Sequence, residues 1–166
     1  DLRRVSKSVS GDWDFWPNSL IADLADPAVQ TQKIPGWFYV LEAGYGHCVT
    51  YGATLMGLPD ELDKLGIQTG IVDSSHRLWA YDEFGNSKLV LSAGTVDKRE
   101  SQSVPHSSLK LGTLAGLRGP TLYLFLEVSN FHSRKTGVFE EVLVGPYQEL
   151  RDSLTHRRVL VAWLIG

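Results

Sequence analysis

Cysteine is almost absent from this chain of 166 residues. Cys48 is the single cysteine, so an internal disulfide and a cluster of thiolate metal ligands are both excluded. We expect this thiol to be a small buried hydrophobic group beside a strand. A strong charge of either sign is absent as well, because 16 Lys and Arg residues face 19 Asp and Glu residues. Without a basic stripe, nucleic acid is not an expected partner.

The sequence motifs of common catalytic sites are also missing. The chain has no G-x-S-x-G nucleophile elbow and no phosphate-binding loop, and Gly44-x-Gly46 lacks the third glycine of a dinucleotide-binding turn. The histidines are scattered, without the close spacing of a metal site. They are His47, His76, His106, His132 and His156. We therefore predict no catalytic activity for this domain, no cofactor and no bound metal.

Long apolar runs are missing too, and residues 159–166 (VLVAWLIG) form only a short one. A membrane-spanning helix needs about 20 apolar residues. One interpretation is a terminal strand or helical turn packed on the domain. The other is the beginning of a transmembrane helix, because Arg157 and Arg158 before an apolar run with a Trp are typical of a membrane interface. Residues 1–9 lack the apolar centre of a signal peptide. We therefore expect that the sequence begins after a removed targeting segment or at a point where a longer chain was cut.

What the chain has in quantity is alternation of apolar and polar residues. Leu122, Leu124, Leu126 and Val128 occupy every second position, which predicts a strand with one face in a core. A second alternating run covers residues 138–144, and we predict that both runs belong to one antiparallel sheet and are joined by a polar loop. Further strands are predicted at residues 11–16, 49–56, 67–72, 77–81, 88–92 and 111–114, with a hairpin turn at 82–86. Many short strands and few helices predict an all-β sandwich.

Helices are expected at three places only. Residues 19–25 can form a short helix that stops near Pro27. Residues 58–66 (LPDELDKLG) predict a helical turn with Asp60 as its cap. Residues 147–158 predict a C-terminal helix, because their apolar residues recur at helical spacing on a charged surface.

Aromatic residues at strand ends and turns suggest a carbohydrate site, because sugars stack their C–H faces on flat rings. Trp79 and Tyr81 share one strand face and Phe84 lies in the adjoining turn, while Trp37 follows a Pro-Gly pair; core packing and ligand contact are both open for these rings. The loop after residue 129 adds polar groups. The side chain of Asn130 is suited to hydrogen-bond with backbone groups of the loop, and the guanidinium of Arg134 is suited to bind hydroxyls or a carboxylate. The candidate ligand-binding residues are Trp37, Trp79, Tyr81, Phe84, Asn130, His132 and Arg134.

Several segments, taken in order, resemble one known family. They are GDWDFWPNSL, IPGW, GYGHCVTY, SSHRLWAYDEFGN, AGTV, VPH and VSNFHSRKTGVFEEVLVG, and the match runs from about residue 9 to residue 145. The chain resembles the extracellular domain of bacterial seven-transmembrane receptors with diverse intracellular signalling modules. Family members often carry an Asn-Gly hairpin where this chain has the longer turn at residues 82–86, so ligand identity does not transfer through that turn.

The resemblance implies a galactose-binding-like jelly roll over residues 1–146, a juxtamembrane helix over 147–158 and the start of a transmembrane helix over 159–166. It also implies a location on the periplasmic side of the bacterial inner membrane, a small-molecule ligand of carbohydrate type, and a downstream histidine kinase or cyclase output. Two other functions stay open. The domain could dimerise or dock a protein without any small ligand, or it could be the sugar-binding accessory domain of a glycosidase.

Overall fold

The computed structural model describes residues 7–8, 12–17, 20–23, 32–35, 42–43, 47–72, 74–96, 107–130 and 136–155. Strands make up most of this part of the chain. They are β1 (Lys7–Ser8), β2 (Asp12–Pro17), β3 (Gln32–Pro35), β4 (Glu42–Ala43), β5 (His47–Leu55), β6 (Leu65–Val72), β7 (Ser75–Asp82), β8 (Ser87–Ala93), β9 (Ser107–Thr113), β10 (Leu122–Asn130) and β11 (Thr136–Pro146).

The strands form two antiparallel sheets that pack face to face. The larger sheet has the order β3-β2-β5-β10-β7-β8, and the smaller has the order β1-β11-β6-β9, with β4 paired to β11. Neighbours in space are mostly not neighbours in sequence, which is the crossed connectivity of a jelly roll. The predicted all-β sandwich is confirmed.

The hydrophobic core lies between the sheets, and β10 contributes its central row. Leu122, Leu124, Leu126 and Val128 have no exposed surface, as their alternation predicts. Each fully buried leucine stabilises a fold by about 1.5–3 kcal/mol relative to an exposed one. The register pairs Leu126 with both Tyr51 and Leu78, so these two residues of β5 and β7 face the core beside it.

One prediction about this region is wrong. We expected the alternating run from Leu122 to Val128 and the run at residues 138–144 to belong to one antiparallel sheet, but β10 pairs with β5 and β7, whereas β11 pairs with β1, β4 and β6. The chain therefore crosses from the larger sheet to the smaller after Asn130. Two strands that each have one apolar face can bury those faces side by side in one sheet or in two sheets that face each other. Alternation of apolar residues is the same in both arrangements, so it does not distinguish them.

The helical predictions fare unevenly. A C-terminal helix is present over residues 147–155, with Leu150 and Leu154 buried against the domain. A single 3₁₀ turn, Ile21–Asp23, stands within the predicted residues 19–25. Residues 58–66 do not form the predicted helical turn, because their backbone groups bond to a neighbouring segment: Leu58 N donates to Pro120 O. Among the described residues, no helix is long and apolar enough to cross a bilayer.

The two sheets approach each other closely where β8 meets β9. A Cβ atom on Gly112 would lie 2.6 Å from Cγ1 of Val90 and would overlap the carbonyl oxygen of the same residue. Each of these strands ends its sheet, so their contact closes the sandwich along one side. Glycine at this position lets the backbones come together.

Candidate binding site

The aromatic and charged side chains of the candidate site lie on the outer face of the larger sheet, which is the face turned away from the core. On β10 this face carries Tyr123, Phe125, Glu127 and Ser129, which alternate with the core leucines. Their exposure changes steadily along the strand: Ser129 and Glu127 are buried, Phe125 is half-buried, and Tyr123 is 39% exposed. The outer face therefore has a covered half and an open half.

The covered half lies under the short 3₁₀ turn near the N-terminus. The backbone N–H of Ile21 donates to Oε2 of Glu127 at 3.0 Å, so this turn rests on the sheet surface at that carboxylate. This contact joins residues that are 106 positions apart in the chain. It marks the boundary beyond which the face becomes open.

Glu127 organises the middle of the outer face. Its Oε1 accepts a hydrogen bond from Nε of Arg77 at 2.9 Å and another from the indole Nε1 of Trp79, also at 2.9 Å. Together with the Ile21 contact, both carboxylate oxygens are occupied. A buried carboxylate is costly unless it is paired and hydrogen-bonded, and this one meets both conditions. The result is a fixed orientation for the guanidinium and for the indole.

Four aromatic side chains on the open half form what we call the aromatic face. These residues are Trp79, Tyr81, Tyr123 and Phe125. The strand register places Tyr123 opposite Tyr81 and Phe125 opposite Trp79. Tyr81 and Phe125 meet edge to face, with ring centroids 5.5 Å apart and planes at 88°. Edge-to-face contacts of this kind fix the orientation of both rings, so the aromatic face is already formed before a ligand binds.

Small polar residues and one apolar side chain border the aromatic face. Thr54 pairs with Tyr123 on the β5 side and Ser87 pairs with Tyr81 on the β8 side, and both are exposed. On the β8 side, Leu89 pairs with Trp79 and is 41% exposed. The face therefore combines flat apolar rings with hydroxyl groups at its margin.

The hairpin turn between β7 and β8 is held by a buried carboxylate. Oδ1 of Asp82 accepts from the backbone N–H groups of Phe84 and Asn86, and Oδ2 accepts from Nδ2 of Asn86 and from N of Arg118. Burial alone would raise the pKa of Asp82, but these four hydrogen bonds outweigh it and hold the pKa below its usual value. The turn chemistry expected at residues 82–86 is thus confirmed.

Phe84, at the tip of this turn, is 55% exposed and has its own partner. The guanidinium of Arg118 lies 4.6 Å from the centre of its ring, a cation–π contact. Within the described part of the chain, no ring-to-ring contact joins Phe84 to the four rings of the aromatic face. It is a rim residue beside the face.

A histidine with a lowered pKa lies on the opposite, core side of β7. His76 has no exposed surface, and its Nε2 is 3.2 Å from Oγ1 of Thr69 on β6, so the contact bridges the two sheets. Its Nδ1 has no hydrogen-bond partner within the described residues. Burial, followed by the positive charge of Lys110, lowers the pKa of His76 from 6.5 to about 4. The imidazole is therefore neutral near neutral pH.

The structure brings two of the seven predicted ligand-binding residues together. Trp79 and Tyr81 stand on the aromatic face, and Phe84 stands beside it. Asn130 is the last residue of β10, and its backbone pairs with His47; its side chain is outside the described part. Three further predictions, Trp37, His132 and Arg134, also fall outside the described residues.

Sequence reasoning missed the other half of the site. Tyr123 and Phe125 alternate with the core leucines, and that same alternation was the available signal for a second, functional face. Arg77 and Glu127 carried no such signal, because 50 residues separate them and only the pairing of β7 with β10 brings them together. Within the described residues, no group of three or more His, Cys, Asp or Glu side chains could hold a metal.

Comparison with known proteins gives similarity of fold. No protein-family model matches the chain, and no curated protein is significantly similar to it in sequence. Among solved structures, a β-glucuronidase from Ruminococcus gnavus in complex with an N1-substituted uronic isofagomine matches with a TM-score of 0.52 at 13% identity. The same enzyme in complex with D-glucaro 1,5-lactone also matches with a TM-score of 0.52, at 12% identity.

Those matches cover 86% of this chain but only 29% of the glucuronidase chain. The CBM22-1 xylan-binding domain of Xyn10C from Paenibacillus barcinonensis aligns over 93% of its own length, with a TM-score of 0.40 that supports no conclusion. At these identities the glucuronidase matches show a shared all-β fold, and they leave the ligand to be argued from the site itself.

Proposed function

We propose that this domain binds carbohydrate on the aromatic face and performs no catalysis. The observation that carries the proposal is the set of four rings on the open half of the larger sheet, with Tyr123 39% exposed and Tyr81 held edge to face against Phe125. A contiguous patch of apolar surface on the outside of a domain commonly marks a binding site. Flat rings bordered by hydroxyl groups suit a ligand that is apolar on its faces and polar at its edges.

The chemistry of Glu127 supports the non-catalytic part of the proposal. A catalytic carboxylate needs an oxygen that can reach the substrate. Here Oε1 accepts from Arg77 and Trp79, and Oε2 accepts from Ile21, on a side chain that is 2% exposed. The carboxylate fixes the neighbouring side chains, and a ligand would contact those instead.

A binding panel of soluble polysaccharides tests the proposal. Affinity gel electrophoresis compares the wild-type chain with Trp79→Ala and Tyr123→Ala, which each remove one ring of the aromatic face. Leu143→Ala is the matched control, because Leu143 is a half-buried apolar residue on β11 of the smaller sheet. We expect at least one polysaccharide to retard the wild type and the control, and to retard both ring variants less.

Two results would refute the proposal. Binding of none of the polysaccharides would remove the carbohydrate claim. Binding that survives both ring substitutions would place the site elsewhere. A solution mass that shows a stable dimer, lost in Tyr123→Ala, would instead assign the exposed rings to a protein interface.

For the biological setting, we propose the periplasmic sensor domain of a bacterial membrane receptor, in which ligand binding biases a downstream membrane segment. The support is the resemblance of residues 9–145 and the arginine-flanked apolar run at 159–166. A ligand can drive such a change only by binding one arrangement of the domain and its C-terminal helix more tightly than another. The buried Leu150 and Leu154 attach that helix to the sandwich.

A second candidate is the accessory domain of a glycosidase. The observation that favours it is the match to about 29% of a glucuronidase chain, which suits one module of a larger enzyme. The residues that the gene encodes after Gly166 discriminate the two candidates. Seven membrane spans would support the receptor, and a catalytic domain would support the accessory role.

A further inference from the structure

We infer that the sugar bound by this domain carries a carboxylate, and that Arg77 is the residue that recognises it. This inference rests on the proposed function and names the ligand class for the same site. It starts from the way in which the guanidinium of Arg77 is held. Nε donates to Oε1 of Glu127 at 2.9 Å, so one edge of the planar group is fixed.

The other edge of the guanidinium is available. Within the described part of the chain, the Nη nitrogens of Arg77 have no hydrogen-bond partner, and the side chain is 33% exposed. Two parallel N–H groups on one rigid plane match the two oxygens of a carboxylate. Because Glu127 already restricts the side chain, little further rotamer entropy is lost when a ligand binds.

Arg77 also lies where a stacked sugar would reach it. Trp79 is the next residue on the same face of β7, and its indole shares the oxygen of Glu127 that holds Arg77. Residues two apart on a strand are about 6.6 Å apart. In the proposed complex, a pyranose ring seated on the indole presents its exocyclic substituent towards the neighbouring guanidinium.

The distribution of charge on the outer face favours an acid over a neutral sugar. The side chain of Glu127 is 2% exposed and its oxygens accept from three donors, whereas the side chain of Arg77 is 33% exposed. An approaching ligand therefore meets hydrogen-bond donors and positive charge at this point. A hydroxymethyl group would engage the Nη pair with one oxygen, and a carboxylate would engage it with two charged ones.

The test uses two probes that differ only at one carbon, methyl β-D-glucuronide and methyl β-D-glucoside. Each is titrated into the ¹⁵N-labelled full chain at low salt, and the indole N–H signal of Trp79, assigned with Trp79→Phe, reports binding. Sodium acetate serves as the carboxylate without a sugar. We expect the glucuronide to bind about tenfold more tightly than the glucoside, and the acetate to give no saturable change.

A pair of matched variants assigns the preference to Arg77. Arg77→Lys keeps the positive charge and can still pair with Glu127, but it loses the two-pronged donor edge. We expect the ratio of the two affinities to fall towards one. Arg151→Lys makes the same chemical change at an exposed position of the C-terminal helix and should leave the ratio as it is.

The outcomes separate this inference from the function beneath it. Equal affinity for the two glycosides, or a ratio that survives Arg77→Lys, overturns the inference. No response to either glycoside in the tens of millimolar overturns it as well. In each of these cases the polysaccharide panel remains a separate test of carbohydrate binding, because its variants replace aromatic rings and leave Arg77 in place.

Discussion

The buried imidazole of His76 makes the fold sensitive to mild acid, and His76→Gln should remove that sensitivity. The glutamine amide stays neutral at every pH and can still bond to the hydroxyl of Thr69. In the wild type, the unfolded chain takes up a proton at this histidine below about pH 6.5, whereas the folded chain does so only near its lowered pKa of about 4. The unfolded state therefore binds more protons in this window, and stability falls as the pH falls.

The size of the effect follows from the two pKa values. The lowering from 6.5 to about 4 covers about 2.5 pH units, and each unit corresponds to about 1.4 kcal/mol, so the full loss is about 3–4 kcal/mol. About 2 kcal/mol of it has been lost at about pH 5. In a domain of this size, that is a fall in Tm of about 4–8 °C.

Urea denaturation of the wild type and of His76→Gln at about pH 7.5, 6 and 5 measures the effect. We expect the wild type to lose about 2 kcal/mol more than the variant between the first and the last of these values. Lys110→Gln should give an intermediate slope, because the charge of Lys110 is the second cause of the lowered pKa. Parallel pH profiles for the wild type and His76→Gln would refute the reasoning.

Four further substitutions test other parts of the structure. Trp79→Ala removes a ring of the aromatic face, so calorimetric titration should show at least about a tenfold loss of sugar affinity, and an unchanged affinity would contradict the site. Glu127→Gln puts an amide nitrogen among hydrogen-bond donors and should lower the free energy of unfolding by about 2 kcal/mol; a variant as stable as the wild type would argue against this role. Asp82→Asn should cost about 1–3 kcal/mol at neutral pH, and the difference should vanish in acid, because the wild type loses this stabilisation as the pH falls through the lowered pKa of Asp82. Gly112→Ala places a methyl group against Val90 and should lower the stability by about 1–3 kcal/mol in thermal unfolding, whereas an unchanged Tm would show that the sheets can part at no cost.

The sequence patterns that report burial predicted the fold class and the central core strand. Leu122, Leu124 and Leu126 are apolar at alternate positions because one face of β10 is buried, and such a pattern is local and readable. Which strand pairs with β10 could not be read in the same way. Strand pairing is made by backbone groups that every residue shares, so β11 was assigned to the wrong sheet.

The site residues, too, could be predicted where the pattern lies within one strand, and could not where the contact joins residues that are distant in sequence. Trp79 and Tyr81 were found because they share a face of one strand. The partner of Trp79, Glu127, is 48 residues away and enters through the register of β7 with β10. The expected helical turn at residues 58–66 failed for a related reason, since Leu58 bonds to Pro120 across the fold and not to its own neighbours.

The course of β10 through the middle of the larger sheet has a consequence for how this domain can change. Its even positions from Leu122 to Val128 face the core, and its odd positions from Tyr123 to Glu127 lie on the outer face, where we propose that the ligand binds. Under this proposal, substitutions at Tyr123 and Phe125 change recognition while the buried leucines stay in place. A single inserted or deleted residue would exchange the two sets, turning leucines to water and a carboxylate to the interior. The ligand specificity of this fold can therefore change through point substitutions in β10, whereas an insertion or deletion within the strand would disrupt the core.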